Sequence, residues 1–153
     1  MKFLSTLVLL LLSATTVFAQ TAMDQQIELA RQASNMDRQA LLLDNVQLTA
    51  EESDLFWPAW KEYRLAARAN GDRMLALLKD FAANYEQMEN IKADELMTDY
   101  FSIKMQNLVI KQQFAQKIDV FLPARKVMRI TQIENKLDAA IQMELAAEIP
   151  LVK

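Results

Sequence analysis

The chain contains no histidine and no cysteine, which removes most nucleophile and base pairings and every ordinary zinc site. Carboxylates, methionines, aromatics and bases are left to do chemistry. Glu51, Glu52 and Asp54 cluster where a helix begins, and negative charge there complements the helix dipole. Glu86, Glu89, Asp94, Glu95 and Asp99 form a second acidic group near the middle of the chain, but the glycine-centred calcium loop that would organise them is missing. Neither cluster makes a catalytic or metal site. No cofactor is expected, and the chain does not read as an enzyme.

The nine methionines are either soft metal ligands or adaptable packing material. No Met-x-x-Met array occurs, Met74 falls on an apolar seam, and Met128 and Met143 lie among apolar residues of the last helical segment. Core filling is therefore expected for these three, with Met88 and Met105 available to an adaptable binding surface. Phe56, Trp57, Trp60 and Tyr63 surround Pro58. At helical spacing Phe56, Trp60 and Tyr63 share one stripe while Trp57 points aside, as a core residue or as a contact for a partner. Between Phe101 and Lys136 stand Lys104, Lys111, Lys117, Arg125, Lys126, Arg129 and Lys136, against only Asp119 and Glu134. Arg64 and Arg68 add a like-charged pair one turn apart. These bases are either solvated helix faces or a strip that attracts acidic partners. The candidate binding residues are Trp57, Arg64, Arg68, Met105 and Lys111.

Positioning them requires long helices, because a single glycine and three prolines leave few places to turn. A first helix is expected from about Asp24 to Asn45, with Ile27, Ala30, Ala33, Met36, Ala40 and Leu43 at spacings of three and four. Thr49-Ala50-Glu51-Glu52 matches a capping box and starts a second. Its seam runs through Phe56, Trp60, Tyr63, Ala67, Met74, Leu77 and Phe81, over roughly 35 residues. Pro58 is expected to kink it and Gly71 to soften it. A third helix, with Asn90 as N-cap, carries Leu96, Tyr100, Ile103, Ile110, Phe114 and Phe121. If the two helices fold back around residues 88 and 89, Tyr63 pairs with Phe114, Met74 with Ile103 and Leu77 with Tyr100. The polar interruptions of the two seams, Asn70 and Asn107, then also fall opposite each other. Leu122-Pro123 ends the third helix and opens a fourth, through Val127, Ile130, Ile133, Leu137, Ala140 and Ile141, which Ile149-Pro150 stops. The expected fold is all-α, four helices with a long central antiparallel hairpin. A homodimer is a natural way to cover apolar stripe that so thin a bundle leaves over.

The N-terminus has the layout of an export signal: Lys2, an apolar stretch from Leu7 to Leu12, and Val17-Phe18-Ala19 before a cleavage point. Residues 1–19 are expected to be removed and 20–153 to form one domain in the periplasm. Ser5, Thr6, Ser13, Thr15 and Thr16 interrupt the apolar run, against the roughly 20 apolar residues that spanning needs, so no membrane insertion is expected after cleavage. Loss of Lys2 from 17 bases leaves 16 against 20 acids, a net charge of −4. Acidity and export together make nucleic acid a poor partner.

The placement of Leu48-Thr49-Ala50-Glu51-Glu52 and Leu122-Pro123-Ala124-Arg125-Lys126 on either side of the hairpin resembles the twice-occurring LTxxQ motif of the Spy/CpxP superfamily of periplasmic helical proteins. The glutamine is replaced in both copies and the second also lacks the threonine. The resemblance covers roughly Leu48 to Ala140. It implies a four-helix, cradle-like and often dimeric protein that binds unfolded clients without ATP, or one that restrains an envelope-stress sensor kinase; the zinc-binding branch does not suit a chain without histidine or cysteine. The expected function is accordingly an ATP-independent chaperone or holdase for unfolded envelope proteins. The alternative is a regulatory or structural protein that docks one envelope partner such as a stress sensor kinase.

Overall fold

The computed structural model describes residues 34–152, so the expected export signal and the start of the first helix lie outside the described residues. The described residues form four helices, α1 (34–45), α2 (Ala50–Asn84), α3 (Asn90–Asp119) and α4 (Ala124–Glu148), with a short 3₁₀ turn, Tyr85–Gln87, after α2. No strand occurs among the described residues. The chain divides at Asp44 into two compact units, and each is described by itself.

In the first unit, the expected stripe of Met36, Ala40 and Leu43 is exposed. Arg38 and Leu42, one turn apart, are the buried residues instead. Spacings of three and four fit several phases of a helix, and a segment with so few large apolar residues does not fix which phase is buried.

The second unit begins at Asn45 and is built on the hairpin. Helix α2 starts as the capping box requires: Thr49 Oγ accepts from the Glu52 amide at 3.2 Å, and the Glu52 carboxylate accepts from the Thr49 amide at 2.8 Å. Pro58 lies inside α2 on an exposed position. At its base the hairpin has the expected register. Tyr63 stacks on Phe114 with ring centroids 4.4 Å apart and planes 12° from parallel. Asn70 is buried and its Nδ2 donates to the Ile103 carbonyl at 2.9 Å. Ile103 was expected opposite Met74, so Asn70 meets α3 one turn away from Asn107, the residue expected opposite it. Nearer the tip, Arg73 donates to Ser102 and Lys92 pairs with Asp80 at 2.9 Å. Glu89, not Asn90, occupies the N-cap of α3, and it makes no side-chain cap bond.

Helix α4 opens after Pro123 and runs back along α3, antiparallel to it, with Lys111 reaching Asn135 and Asp138 and Lys104 reaching Gln142. It is parallel to α2: the cross-links Glu52 to Lys126, Trp60 to Glu134 and Tyr63 to Glu134 keep a nearly constant difference in residue number. The core lies at the base of this three-helix unit, where Phe56, Trp60 and Tyr63 of α2, Phe114 and Ile118 of α3, Leu122 and Ile130 are buried. Toward the tip burial falls away, and Tyr100, expected on the seam, is exposed.

The methionines correct an expectation. Met128 and Met143 are 63% and 74% exposed, not core residues, while Met74 is half-buried. Val127 and Ile130 set the inward face of α4, and Met128 stands about 100° off Val127 on the helix. Ile141 and Ala140, expected on the apolar face of α4, are exposed as well.

Candidate binding face

Helix α3 is apolar on two sides. Its inward seam of Leu96, Ile103, Ile110, Phe114 and Ile118 is buried. On the other side Met97, Phe101, Met105 and Leu108 are 53%, 58%, 66% and 68% exposed. Their steps of four, four and three residues keep them within an arc of about 80° and along roughly 16 Å of helix. An amphipathic helix in a small bundle keeps that side polar. Here four large side chains form a continuous apolar ridge, the kind of surface that marks contact with another molecule. Two of the four are methionines, whose flexible thioethers adapt to partners of different shape.

The sequence-predicted candidates fall on two separate surfaces. Trp57, Arg64 and Arg68 share one face of α2, within an arc of about 40°. Trp57 is half-buried, its Nε1 donates to Ser53 Oγ at 2.9 Å, and its ring meets Phe56 and Trp60 edge-on. Arg64 lies over the Tyr63 ring and pairs with Glu134 at 3.7 Å, while Arg68 is exposed. Met105 belongs to the outer ridge of α3. Lys111 is engaged within the fold, at 2.7 Å from Asp138 and 2.8 Å from Asn135.

Most of the expected basic strip is likewise consumed by pairing. Lys117 pairs with Glu62, Lys126 with Glu52 at 2.5 Å, and Lys104 donates to Gln142 at 3.0 Å. The Lys126 hydrogen bond, helped by the Thr49 amide, holds the Glu52 carboxyl below its ordinary value. Lys92 donates to Asp80 and then to Glu95, and these hydrogen bonds hold its ammonium above its own ordinary value.

Two groups of residues escaped the sequence reading. The ridge did apart from Met105, although Met97, Phe101, Met105 and Leu108 were legible as a second period on α3. So did Glu134, a carboxylate only 2% exposed that accepts from Trp60 Nε1 at 2.9 Å and Tyr63 Oη at 3.5 Å. The signal was the alternating step of three and four through Val127, Ile130, Leu137 and Ile141, which passes through position 134.

Around the tip, Ala83, Asn84, Glu86, Gln87, Glu89 and Lys92 line an open polar pocket of about 500 Å³. Among the described residues no cluster of three or more acidic side chains could hold a metal ion, and no helix is long and apolar enough to cross a membrane. No protein-family model, curated protein or solved structure matches the chain.

Proposed function

We propose that this chain acts after export, in the periplasm, as an ATP-independent holdase that shields exposed apolar segments of unfolded envelope proteins, in the manner of the Spy/CpxP proteins it resembles. The observation that carries this reading is the ridge of Met97, Phe101, Met105 and Leu108, exposed on a helix whose opposite side is already buried. Dispersed apolar contact and adaptable methionines suit clients that share no sequence, because neither demands a particular hydrogen-bonding pattern. No nucleotide or metal is needed for capture by apolar burial. Trp57, Arg64 and Arg68 offer a second, more polar contact on α2.

The test is an aggregation assay with two unrelated thermally unfolding clients, comparing the exported protein with a Phe101→Ser/Leu108→Ser variant. Protection of both clients, weakened in the variant, supports the reading. Protection of neither by a folded sample sinks it and leaves the alternative, docking to one dedicated envelope partner, to be sought by pull-down from membrane and periplasmic extract.

A further inference from the structure

Within the strip from Phe101 to Lys136, the bases that remain after pairing gather on one line. Arg125, Arg129 and Lys136 are exposed, make no ion pair with a described residue, and fall within an arc of about 40° on α4. Gln132 lies between them, and exposed Met128 and Met143 lie beside and beyond them on the same side. The contacts of α4 with the rest of the unit come from other directions: Lys126 and Glu134 reach α2, while Asn135, Asp138 and Gln142 meet α3. Glu134 and Asp138, the acids nearest in sequence, are thus turned inward. The outer side of α4 is cationic with apolar flanks on a chain of formal net charge −3.

Arg125 also stands in the first turn of α4, where the helix dipole disfavours cations. Its placement therefore does not serve the helix itself. A straight row of bases flanked by flexible apolar side chains matches a flat anionic surface, where the charges meet phosphates and the thioethers enter the headgroup layer. An acidic polypeptide would meet the charges but leave Met128 and Met143 in water.

We propose that the outer face of α4, through Arg125, Arg129 and Lys136, docks the protein on the surface of an anionic phospholipid bilayer. This docking is independent of the ridge on α3 and would hold a binding protein beside the membrane without inserting it.

The experiment is co-sedimentation of the exported, purified protein with vesicles of phosphatidylcholine alone and of phosphatidylcholine mixed with phosphatidylglycerol. Wild type is expected to bind the mixed vesicles, to release them as salt is added, and to ignore the neutral ones. The Arg125→Gln/Arg129→Gln/Lys136→Gln variant, exchanged only at exposed positions, should bind about a hundredfold more weakly. Its unchanged circular dichroism and client protection would separate this outcome from failure of the holdase reading. Equal binding to both vesicle types, unaltered binding by the variant, or absence of binding to anionic vesicles would overturn the proposal. Binding to polyglutamate in place of vesicles would overturn it too, in favour of an acidic protein partner.

Discussion

Trp60 Nε1 donates a 2.9 Å hydrogen bond to Glu134 Oε1, joining α2 to α4. Tyr63 Oη at 3.5 Å and Arg64 at 3.7 Å address the other carboxylate oxygen. A buried carboxylate is costly unless its oxygens are occupied, and removing it strands its partners. Glu134→Ala is therefore expected to lower stability by about 2–4 kcal/mol, measured by urea unfolding followed by circular dichroism. Glu134→Gln, which keeps an acceptor for Trp60 but loses the charge facing Arg64, should cost less. A loss for Glu134→Ala near zero would mean that the Glu134 hydrogen bonds add nothing net to the docking of α4.

The hairpin was legible because its signals are redundant. A capping box at Thr49 marks where the first helix of the pair starts. Two long periodic seams with polar interruptions at Asn70 and Asn107 point to one register, which the Tyr63–Phe114 stack follows and from which Asn70, bonded to Ile103, departs by one turn. What was not legible depends on which side of a helix meets a neighbour. Periodicity in α1 fits more than one phase, and Leu42 and Arg38 are buried where Met36 and Leu43 were expected. In α3 two apolar periods overlap, so the inward seam concealed the outward ridge. Long bases such as Lys111 and Lys117 read as surface charge, yet an acid brought close by the fold absorbs each of them.

The start of α2 carries a pH dependence whose sign can be worked out. Glu52 is held below its ordinary value of 4.5 by the Lys126 hydrogen bond and then by the Thr49 amide. Its contribution is therefore present above that value and is lost as pH falls through the lowered folded one. Wild type should lose stability more steeply than Glu52→Gln in this acid window, and the two curves should run parallel near neutrality. Lys92, raised by Asp80 and then Glu95, gives the mirror case: its contribution is present below 10.5 and is lost as pH rises through the raised folded value. Thr49→Ala, which removes the cap itself, should cost about 1 kcal/mol at neutral pH.

Gly71 offers a gain. It is exposed in the middle of α2, its φ is not positive, and an added Cβ would meet nothing within 4 Å. Glycine here serves neither a turn nor a close approach, so Gly71→Ala should raise stability by about 0.5–1 kcal/mol through the lower entropy of the unfolded chain. A thermal melt should show a higher Tm. An unchanged or lower one would mean that α2 draws on flexibility at this point.

The two candidate contact surfaces can be separated by stability as well as by activity. Phe101 and Leu108 are exposed, so Phe101→Ser/Leu108→Ser should change stability by little, about 0.5 kcal/mol per site. Trp57 is half-buried and touches both Phe56 and Trp60, so Trp57→Ala should cost more than either site, by loss of packing. If the ridge on α3 is the client surface, the serine variant loses protection of both clients while its urea midpoint holds. A Trp57→Ala protein compared below its own unfolding range should then keep most of its protection. The reverse pattern, full protection by the serine variant and none by a folded Trp57→Ala, would move the site to the face of α2 that Trp57 shares with Arg64 and Arg68.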